Sequence, residues 1–409
     1  MKIAVIGGGA AGMMAAITAA QNGASVTLFE RNSICGIKLN ITGKGRCNVT
    51  NNCDINALVS NTVKNGRFLF SAFSCFDSQS TISFFENAGV ALKTERGNRV
   101  FPISDNAKDV SGALKTTLHR SGVKIIYSRV CSIKQQDGYI CGLITTEKEY
   151  YFDRIILATG GLSYPRTGSD GDGYKIAKML GHTITELKPS LVALNVKGNI
   201  PARLEGLSLR NVSINIQKDN KPVYTDFGEM LFTRNGVSGP MILSASAHLD
   251  RKNTFPYLLN IDLKPALSPE MLDKRIISDF NEAKNKDFGN SLGKLLPAKI
   301  IPIVIKLSGI PANKKINSIT VAERAKLCTI LKSFPLEIVG FGPIDEAIIT
   351  SGGVSTKEID PKTMESKLIK GLYFCGEIID VDAYTGGFNL QIAWSTGYCA
   401  GLNASREDV

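Results

Sequence analysis

Lys2-Ile3-Ala4-Val5-Ile6-Gly7-Gly8-Gly9-Ala10-Ala11-Gly12, running on into Met13-Met14-Ala15-Ala16-Ile17-Thr18-Ala19-Ala20, decides the fold. The first five residues are a short apolar run with β-branched side chains, which predicts a strand buried on both faces. The run breaks into glycines and then into good helix formers. Asn22-Gly23 supplies the helix stop. Ser25-Val26-Thr27-Leu28-Phe29-Glu30 reads as a second strand. Strand, glycine turn, helix and strand make a βαβ unit, so an α/β protein of Rossmann type with a parallel sheet is expected.

Gly7-x-Gly9-x-x-Gly12 lies at the turn of that unit. Its glycines allow a tight bend and let a pyrophosphate approach the backbone N–H groups around Ala10 and Ala11. The positive end of the helix dipole favours the phosphate charge. Glu30 follows Gly12 by 18 residues, at the end of the second strand, with Arg31 next to it. There a carboxylate can accept hydrogen bonds from a ribose hydroxyl pair and repel a 2′-phosphate. A glycine turn without a ligand would not call for that acid.

The fingerprint does not separate FAD from NAD. The other end of the chain does. Leu372-Tyr373-Phe374-Cys375 reads as a strand, ended by Gly376-Glu377 and followed by Asp380. Tyr384-Thr385-Gly386-Gly387-Phe388-Asn389-Leu390 then opens a helix that runs to Ala400. A second nucleotide-contacting strand end, so far from the first, suggests one long cofactor touched by both ends of the chain, and FAD is long enough. The helix starting near Leu390 would aim N–H groups at the flavin edge that becomes anionic on reduction.

The chain has 409 residues and a mass of 44.1 kDa, which suits two or three domains. With 43% hydrophobic and 21% charged residues it has globular composition, not that of a disordered chain. No apolar stretch approaches the ~18 residues of a membrane span. The glycine motif at Gly7 makes the N-terminus part of a fold, so no cleaved leader is expected. Nine cysteines, none spaced as a CxxC pair, argue against a disulfide scaffold or a zinc ribbon, and a reducing cytoplasm is the default. His119, His182 and His248 are far apart, and no metal site is expected. The net charge is +11, and Arg251 to Lys332 carries 15 Lys and Arg against 7 Asp and Glu. A solvated helical surface is the plain reading of that surplus. An anion funnel or a nucleic-acid contact is the sharper one.

Between the two nucleotide-binding ends the pattern changes. Residues 123–158 read as a meander of hairpin-linked strands, turning at Gln136-Asp137-Gly138 and ending in Arg154-Ile155-Ile156-Leu157. Leu191–Val196, Ser213–Gln217 and Leu258–Leu263 read as short strands. Met271–Ala283, Leu292–Leu307 and Val321–Phe334 read as helices punctuated by prolines.

Four stretches make the chain resemble the BaiN/YhiN-like flavoproteins. They are Gly36-Ile37-Lys38-Leu39-Asn40-Ile41-Thr42-Gly43-Lys44-Gly45-Arg46-Cys47-Asn48-Val49-Thr50-Asn51, Ala158-Thr159-Gly160-Gly161-Leu162-Ser163-Tyr164-Pro165 on through Tyr174, Thr350-Ser351-Gly352-Gly353-Val354, and Gly376-Glu377 through Gly387-Phe388-Asn389-Leu390-Gln391. They occur in the family's order along nearly the whole chain. The resemblance implies an FAD domain of the two-dinucleotide-binding type (1–190 and 346–409). A β-barrel-like domain (191–265 and 333–345) interrupts it, and a helical domain (266–332) interrupts the barrel. The resemblance also implies an FAD-dependent oxidoreductase. The family includes NAD(P)H-dependent reductases of steroid or bile-acid enones and an aminoacetone oxidase.

Lys38, Lys44 and Arg46 with several glycines form a basic, backbone-rich loop after Glu30, suited to pyrophosphate or the flavin ring. The candidate cofactor residues are thus Gly7, Gly9, Ala10, Ala11, Gly12, Glu30, Arg31, Lys38, Gly45, Arg46, Cys47, Asn48, Thr159, Gly160, Gly376, Glu377, Asp380, Gly387, Phe388, Asn389 and Leu390. Cys47 and Cys53 are too widely spaced for a flavin-linked redox pair, so Cys47 reads as a loop residue and Cys53 as a spare thiol. Cys375 reads as strand core. There is one nucleotide fingerprint, so NADH or NADPH would visit the flavin and leave before the substrate enters.

The leading expectation is hydride transfer from flavin N5 to the β-carbon of an enone, with an acid protonating the α-carbon. Tyr384 is the first candidate acid because it precedes the helix entry; Tyr164 and Arg166 are further candidates. The substrate is expected to be small and apolar, at a domain interface, with the basic surplus steering a carboxylate or CoA tail. An amine or amino-ketone oxidase using O₂ is the second expectation. An RNA-binding or RNA-modifying flavoprotein is the third, since the basic segment has few aromatic residues to stack bases.

Overall fold

The structure, a computed structural model, describes residues 1–249 and 254–407. Arg251 and Lys252, which open the basic segment, lie outside the described residues. The chain divides into two compact units, Met1–Ser190 with Ile344–Val409, and Leu191–Pro343.

In the first unit, five strands form a sheet in the order Leu372–Phe374, Arg154–Leu157, Lys2–Ile6, Ser25–Glu30, Lys124–Tyr127. Every pairing is parallel, and Val5 stands between Ile156 and Leu28. Ile3, Ala4, Val5 and residues 155–157 are fully buried, as strands covered on both faces require. The sheet therefore joins both ends of the chain: the opening strand lies one strand away from Leu372–Phe374.

Two helices lock this arrangement. The first spans Ala10–Gln21 and the last Phe388–Ala404. Side chains at Gly397 and Gly401 would collide with the carbonyl oxygens of Ala11 and Ala15, so these glycines let the two backbones touch. Trp394, fully buried, donates its indole N–H to the Val49 carbonyl at 2.9 Å and ties the last helix to the basic loop.

Neither Lys124–Tyr127 nor Arg154–Leu157 is part of the meander: Arg154–Leu157 pairs in parallel with Lys2–Ile6 and with Leu372–Phe374. Lys124–Tyr127 pairs in parallel with Ser25–Glu30, and only Val130–Gln136, Tyr139–Thr145 and Glu149–Tyr151 form the antiparallel sheet. Local alternation shows that a segment is a strand but not which partner it takes.

The second unit contains a closed six-stranded antiparallel barrel. Its order is Leu194–Val196, Gly236–Ser238, Lys221–Phe232, Ser208–Lys218, Tyr257–Asp262, Phe334–Phe341. Ile214, Ile216, Phe232, Leu259, Ile261, Leu336 and Ile338 are buried in its core. The longest strand, Lys221–Phe232, escapes the sequence reading because only Met230 and Phe232 are buried in it, and its exposed positions mix Lys221, Thr225 and Glu229 with Pro222, Val223 and Phe227, so no apolar alternation marks it. Besides Ile200–Leu204 and Pro240–His248, the unit has the helices Pro269–Glu282, capped by Ser268, then Ile301–Ser308, and Val321–Lys332 with a Thr320–Glu323 capping box. The single helix expected over Leu292–Leu307 does not form. A short 3₁₀ turn covers Leu292–Lys294, and the helix starts at Ile301 with Pro302 in its first turn, where the missing N–H costs nothing. Val321–Lys332 also ends before Phe334, which begins a barrel strand. Among the described residues no helix is long and apolar enough to cross a membrane.

Candidate functional site

Gly7 turns with φ +107°, and a side chain there would press on the Ala158 carbonyl oxygen at 2.5 Å. A side chain at Gly12 would collide with the Gly7 carbonyl oxygen. Gly9 differs: a Cβ there meets no protein atom within 4 Å. The protein does not fill the space beside Gly9, where a pyrophosphate needs close approach. The first helix has no side-chain N-cap, so its first-turn amides at Ala10, Ala11 and Gly12 have no intrahelical partner. Glu30, buried, accepts from Gly8 N at 2.8 Å on one oxygen and from Asn32 N and Nδ2, both at 2.8 Å, on the other. Its carboxylate is thereby fixed beside the glycine turn.

Lys38, Ser163, Thr350 and Glu377 form one cluster, drawn from four distant parts of the chain. Lys38 Nζ lies 2.6 Å from Glu377 Oε2 and donates to Ser163 Oγ at 2.7 Å. Glu377 Oε1 accepts from Ser163 Oγ at 2.8 Å and from Thr350 N at 2.9 Å. Thr350 Oγ1 in turn accepts from Leu162 N at 2.8 Å. Gly161 must be glycine because a Cβ would sit 2.6 Å from Glu377 Oε1. The cluster pins the turn after Arg154–Leu157 to the turn after Leu372–Phe374.

The last helix begins at Phe388, with Gly387 as an N-cap in the left-handed region (φ +101°) and no side-chain cap. A Cβ at Gly387 would collide with the Thr50 carbonyl, so the helix start is set directly against the basic loop. Gln391, fully buried, accepts from Thr50 Oγ1 at 2.6 Å and Thr81 Oγ1 at 2.9 Å and donates to the Phe76 carbonyl at 2.9 Å. Asn389 bonds both the N–H (2.9 Å) and the C=O (2.8 Å) of Ala383, which holds the loop before the helix.

Two buried polar atoms here have no partner: Asn48 Oδ1 and Thr159 Oγ1. Both belong to the candidate cofactor residues, and an orphaned buried acceptor costs free energy unless a ligand satisfies it. The open space at Gly9, two uncapped helix starts, the fixed Glu30 and these two atoms together fit a dinucleotide such as FAD.

Other candidates are committed to the protein. Arg46 pairs with Glu95 and with Asp105 (2.6 Å), and its guanidinium lies 4.0 Å from the Phe101 ring centre. Arg31 pairs with Asp170 and Asp172. Asp380 is buried and held by Lys64 at 2.6 Å. Cys47, with φ +60°, is fully buried, and burial pushes its thiol up to about 12, so it is no thiolate at neutral pH. Gly45 and Gly160 adopt positive φ, Gly376 lies close to Ala11, and Phe388 and Leu390 stand in the first turn of the last helix. All nine cysteines are free thiols. Tyr384, half-buried, is fixed through its N–H to the Asn61 carbonyl at 3.0 Å. Tyr164 is half-buried with φ +53°, and Arg166 beside it is exposed. No group of three or more metal-ligating side chains gathers among the described residues.

Ser163, Thr350 and Gln391 lie inside the sequence motifs, but nothing local in the sequence marks their role. The pairing that reveals their role spans up to 341 residues of chain. Asn32 was missed because it is defined only by the turn after Glu30.

The profile of the HI0933-like protein Rossmann domain family matches residues 1–403. The chain is 32% identical over 411 residues to a 3-dehydro-bile acid delta(4,6)-reductase of Clostridium scindens, covering 99% of each. It is 30% identical over 414 residues to a ribosomal RNA dihydrouridine synthase of Haemophilus influenzae, covering 98% of each. Among solved structures it resembles the 3-ketosteroid delta1-dehydrogenase of Sterolibacterium denitrificans, with TM-score 0.54 and 12% identity, over 98% of this chain and 99% of that one. At that identity the likeness is one of fold.

Proposed function

Because the chain belongs to the HI0933-like Rossmann family, and so to the oxidoreductases with an FAD-binding fold, we propose that it reduces a carbon–carbon double bond conjugated to a carbonyl. NADH or NADPH is the electron donor in this reading. The observation that carries it is whole-length likeness to two relatives with different substrates and one bond change. The name of the first states reduction at delta(4,6), that is, of carbon–carbon double bonds, in a 3-dehydro-bile acid. The name of the second states formation of dihydrouridine, which is uridine with its C5=C6 bond, conjugated to C4=O, reduced.

When bound, FAD supplies the hydride. The chain's task is to hold the carbonyl, place the β-carbon and deliver a proton to the α-carbon. Tyr384 Oη is assigned as the proton donor, because Tyr384 stands in the loop Tyr384-Thr385-Gly386-Gly387 that leads into the uncapped start of the last helix. Tyr164 and Arg166, adjoining in one turn, offer an O–H and a guanidinium to the carbonyl oxygen, where negative charge develops. Fixed donors of that kind stabilise an enolate without reorganising. Tyr384→Phe should slow substrate reduction about a hundredfold while FAD stays bound. Unchanged turnover removes Tyr384 from the reaction.

A polycyclic enone is the favoured substrate, following the relative with the higher identity. A uracil base in RNA is the second reading. The observation in its favour is charge: residues 191–343 carry 21 Lys and Arg against 13 Asp and Glu, a surplus of 8 out of the chain's net 11. Product mass from a steroid enone and from oligouridine, each supplied with NAD(P)H without oxygen, separates the two.

A further inference from the structure

The outer wall of the barrel carries a hollow of about 520 Å³, open to solvent and lined by polar side chains from three neighbouring strands. Its size falls in the range of small-ligand sites. On Ser208–Lys218, Ile214 and Ile216 point into the barrel core, so Ser213 and Asn215 point outward. The antiparallel register sets Asn215 between Thr225 and Asn260, and Ser213 between Phe227 and Asp262. Two rows thus cross three strands, each about 10 Å wide. One is amide and hydroxyl throughout. The other runs from an aromatic ring, over the small Ser213, to a carboxylate paired with Lys332 Nζ at 2.6 Å.

Three features separate this wall from an ordinary polar surface. Ser213, Asn215, Thr225 and Asn260 make no side-chain hydrogen bond to any described residue. The Asn215 amide oxygen is shielded from solvent with no donor, a costly state that a ligand N–H would relieve. Phe227 leaves 55% of its surface exposed at the edge of the row. A planar ring stacked on Phe227, with its edge turned to the carboxamides of Asn215 and Asn260, would use all three. Amide side chains meet the donor–acceptor edges of nucleobases in pairs, and base–aromatic stacking is how sequence-tolerant sites hold single strands. A neutral sugar could also use amides and a ring; RNA is favoured by the surplus of 8 positive charges over the unit as a whole, although the charged side chains of the hollow itself, Asp226, Asp262 and Lys332, leave it one negative charge.

We propose that this hollow is a nucleobase-binding site through which the barrel unit holds single-stranded RNA. The inference deepens the RNA reading of the function and rests on it for its biological sense, but not for its measurement. The test is fluorescence anisotropy of a labelled oligouridine with the FAD-loaded full chain, at low salt and then at raised salt. Phe227→Ala and Asn215→Leu are compared with the unaltered protein, and thermal melts are recorded for all three. The site predicts saturable binding that weakens as salt rises. Each substitution should lose about tenfold or more in affinity. Asn215→Leu should melt no lower than the unaltered protein, because an amide kept for a ligand does no work in the fold. Absence of binding, binding indifferent to both substitutions, or preference for a neutral oligosaccharide would overturn the proposal. Failure of the proposed reaction would show separately, as no turnover of either substrate with oligouridine binding intact.

Discussion

A Cβ added to Gly12 would collide with the Gly7 carbonyl oxygen, whereas one added to Gly9 meets no protein atom within 4 Å. The two glycines of one motif therefore answer to different partners. Gly12→Ala should destabilise the fold by about 2 kcal/mol or more, because backbone must move to admit the methyl group. Gly9→Ala should cost about 1 kcal/mol at most through the weakened N-cap, yet abolish retention of FAD through purification. Melting curves and flavin absorbance on the two variants check both statements. The Lys38–Glu377 pair is mostly shielded, with 23% and 11% of the two side chains exposed. Glu377→Gln removes the charge that Lys38 faces and should cost about 2 kcal/mol. Adding Lys38→Met to it should recover part of that loss, since a half-buried cation no longer stands unpaired. Chemical denaturation of Glu377→Gln, Lys38→Met and the double variant beside the unaltered protein reads the coupling. At this scale the glycines and Glu30 were legible, because a local motif defines them. Ser163, Thr350 and Gln391 were not, because their partners lie far away in sequence.

The first and last helices approach as closely as backbone allows, through Gly397 and Gly401. Gly401→Leu should therefore lower stability by about 2 kcal/mol or more, by forcing the helices apart. FAD affinity should fall with it, as both helix starts belong to the candidate site. An exposed glycine with nothing within 4 Å, such as Gly293, makes a suitable control. The elements holding these helices were readable from apolar runs and glycine breaks: Lys2–Ile6, Ala10–Gln21, Ser25–Glu30 and the helix after Gly387. Lys124–Tyr127 was readable as a strand but not as a member of the parallel sheet, since its partner is chosen by tertiary packing. Lys221–Phe232 was missed because a barrel strand with a solvated face carries little apolar signal.

Two histidines contribute to the response of the molecule to mild acid. His182 is buried, with Nδ1 3.2 Å from Glu358 and Nε2 3.0 Å from Ser366 Oγ. Burial lowers its pKa below the ordinary value, with Glu358 opposing in part, and burial lowers that of His248 as well. Between the lowered folded values and the ordinary value near 6.5, the unfolded chain binds more protons than the folded one. The stability these groups confer is complete above about pH 6.5 and is lost as pH falls toward the folded values. Denaturant midpoints at pH 7.5 and 5.5 should show the fall, and His182→Gln should reduce it. A midpoint independent of pH over that range contradicts the account. On the scale of the whole chain, the pairing of its two ends on one sheet was foreseeable from two glycine-punctuated strand ends. The closure of the barrel and its polar outer wall was not, because both depend on which strands become neighbours.

The central claim is that both ends of the chain hold one flavin that passes electrons to a conjugated double bond. The most direct measurement is an anaerobic spectral titration of the purified protein. The account predicts bound flavin absorbance and its loss on adding NADH or NADPH. Its return on adding a 3-keto-4-ene steroid or bile acid should yield a product heavier by two hydrogens. Folded protein that binds no flavin, or a flavin bleached by an amine and returned by oxygen but by no conjugated acceptor, would contradict it.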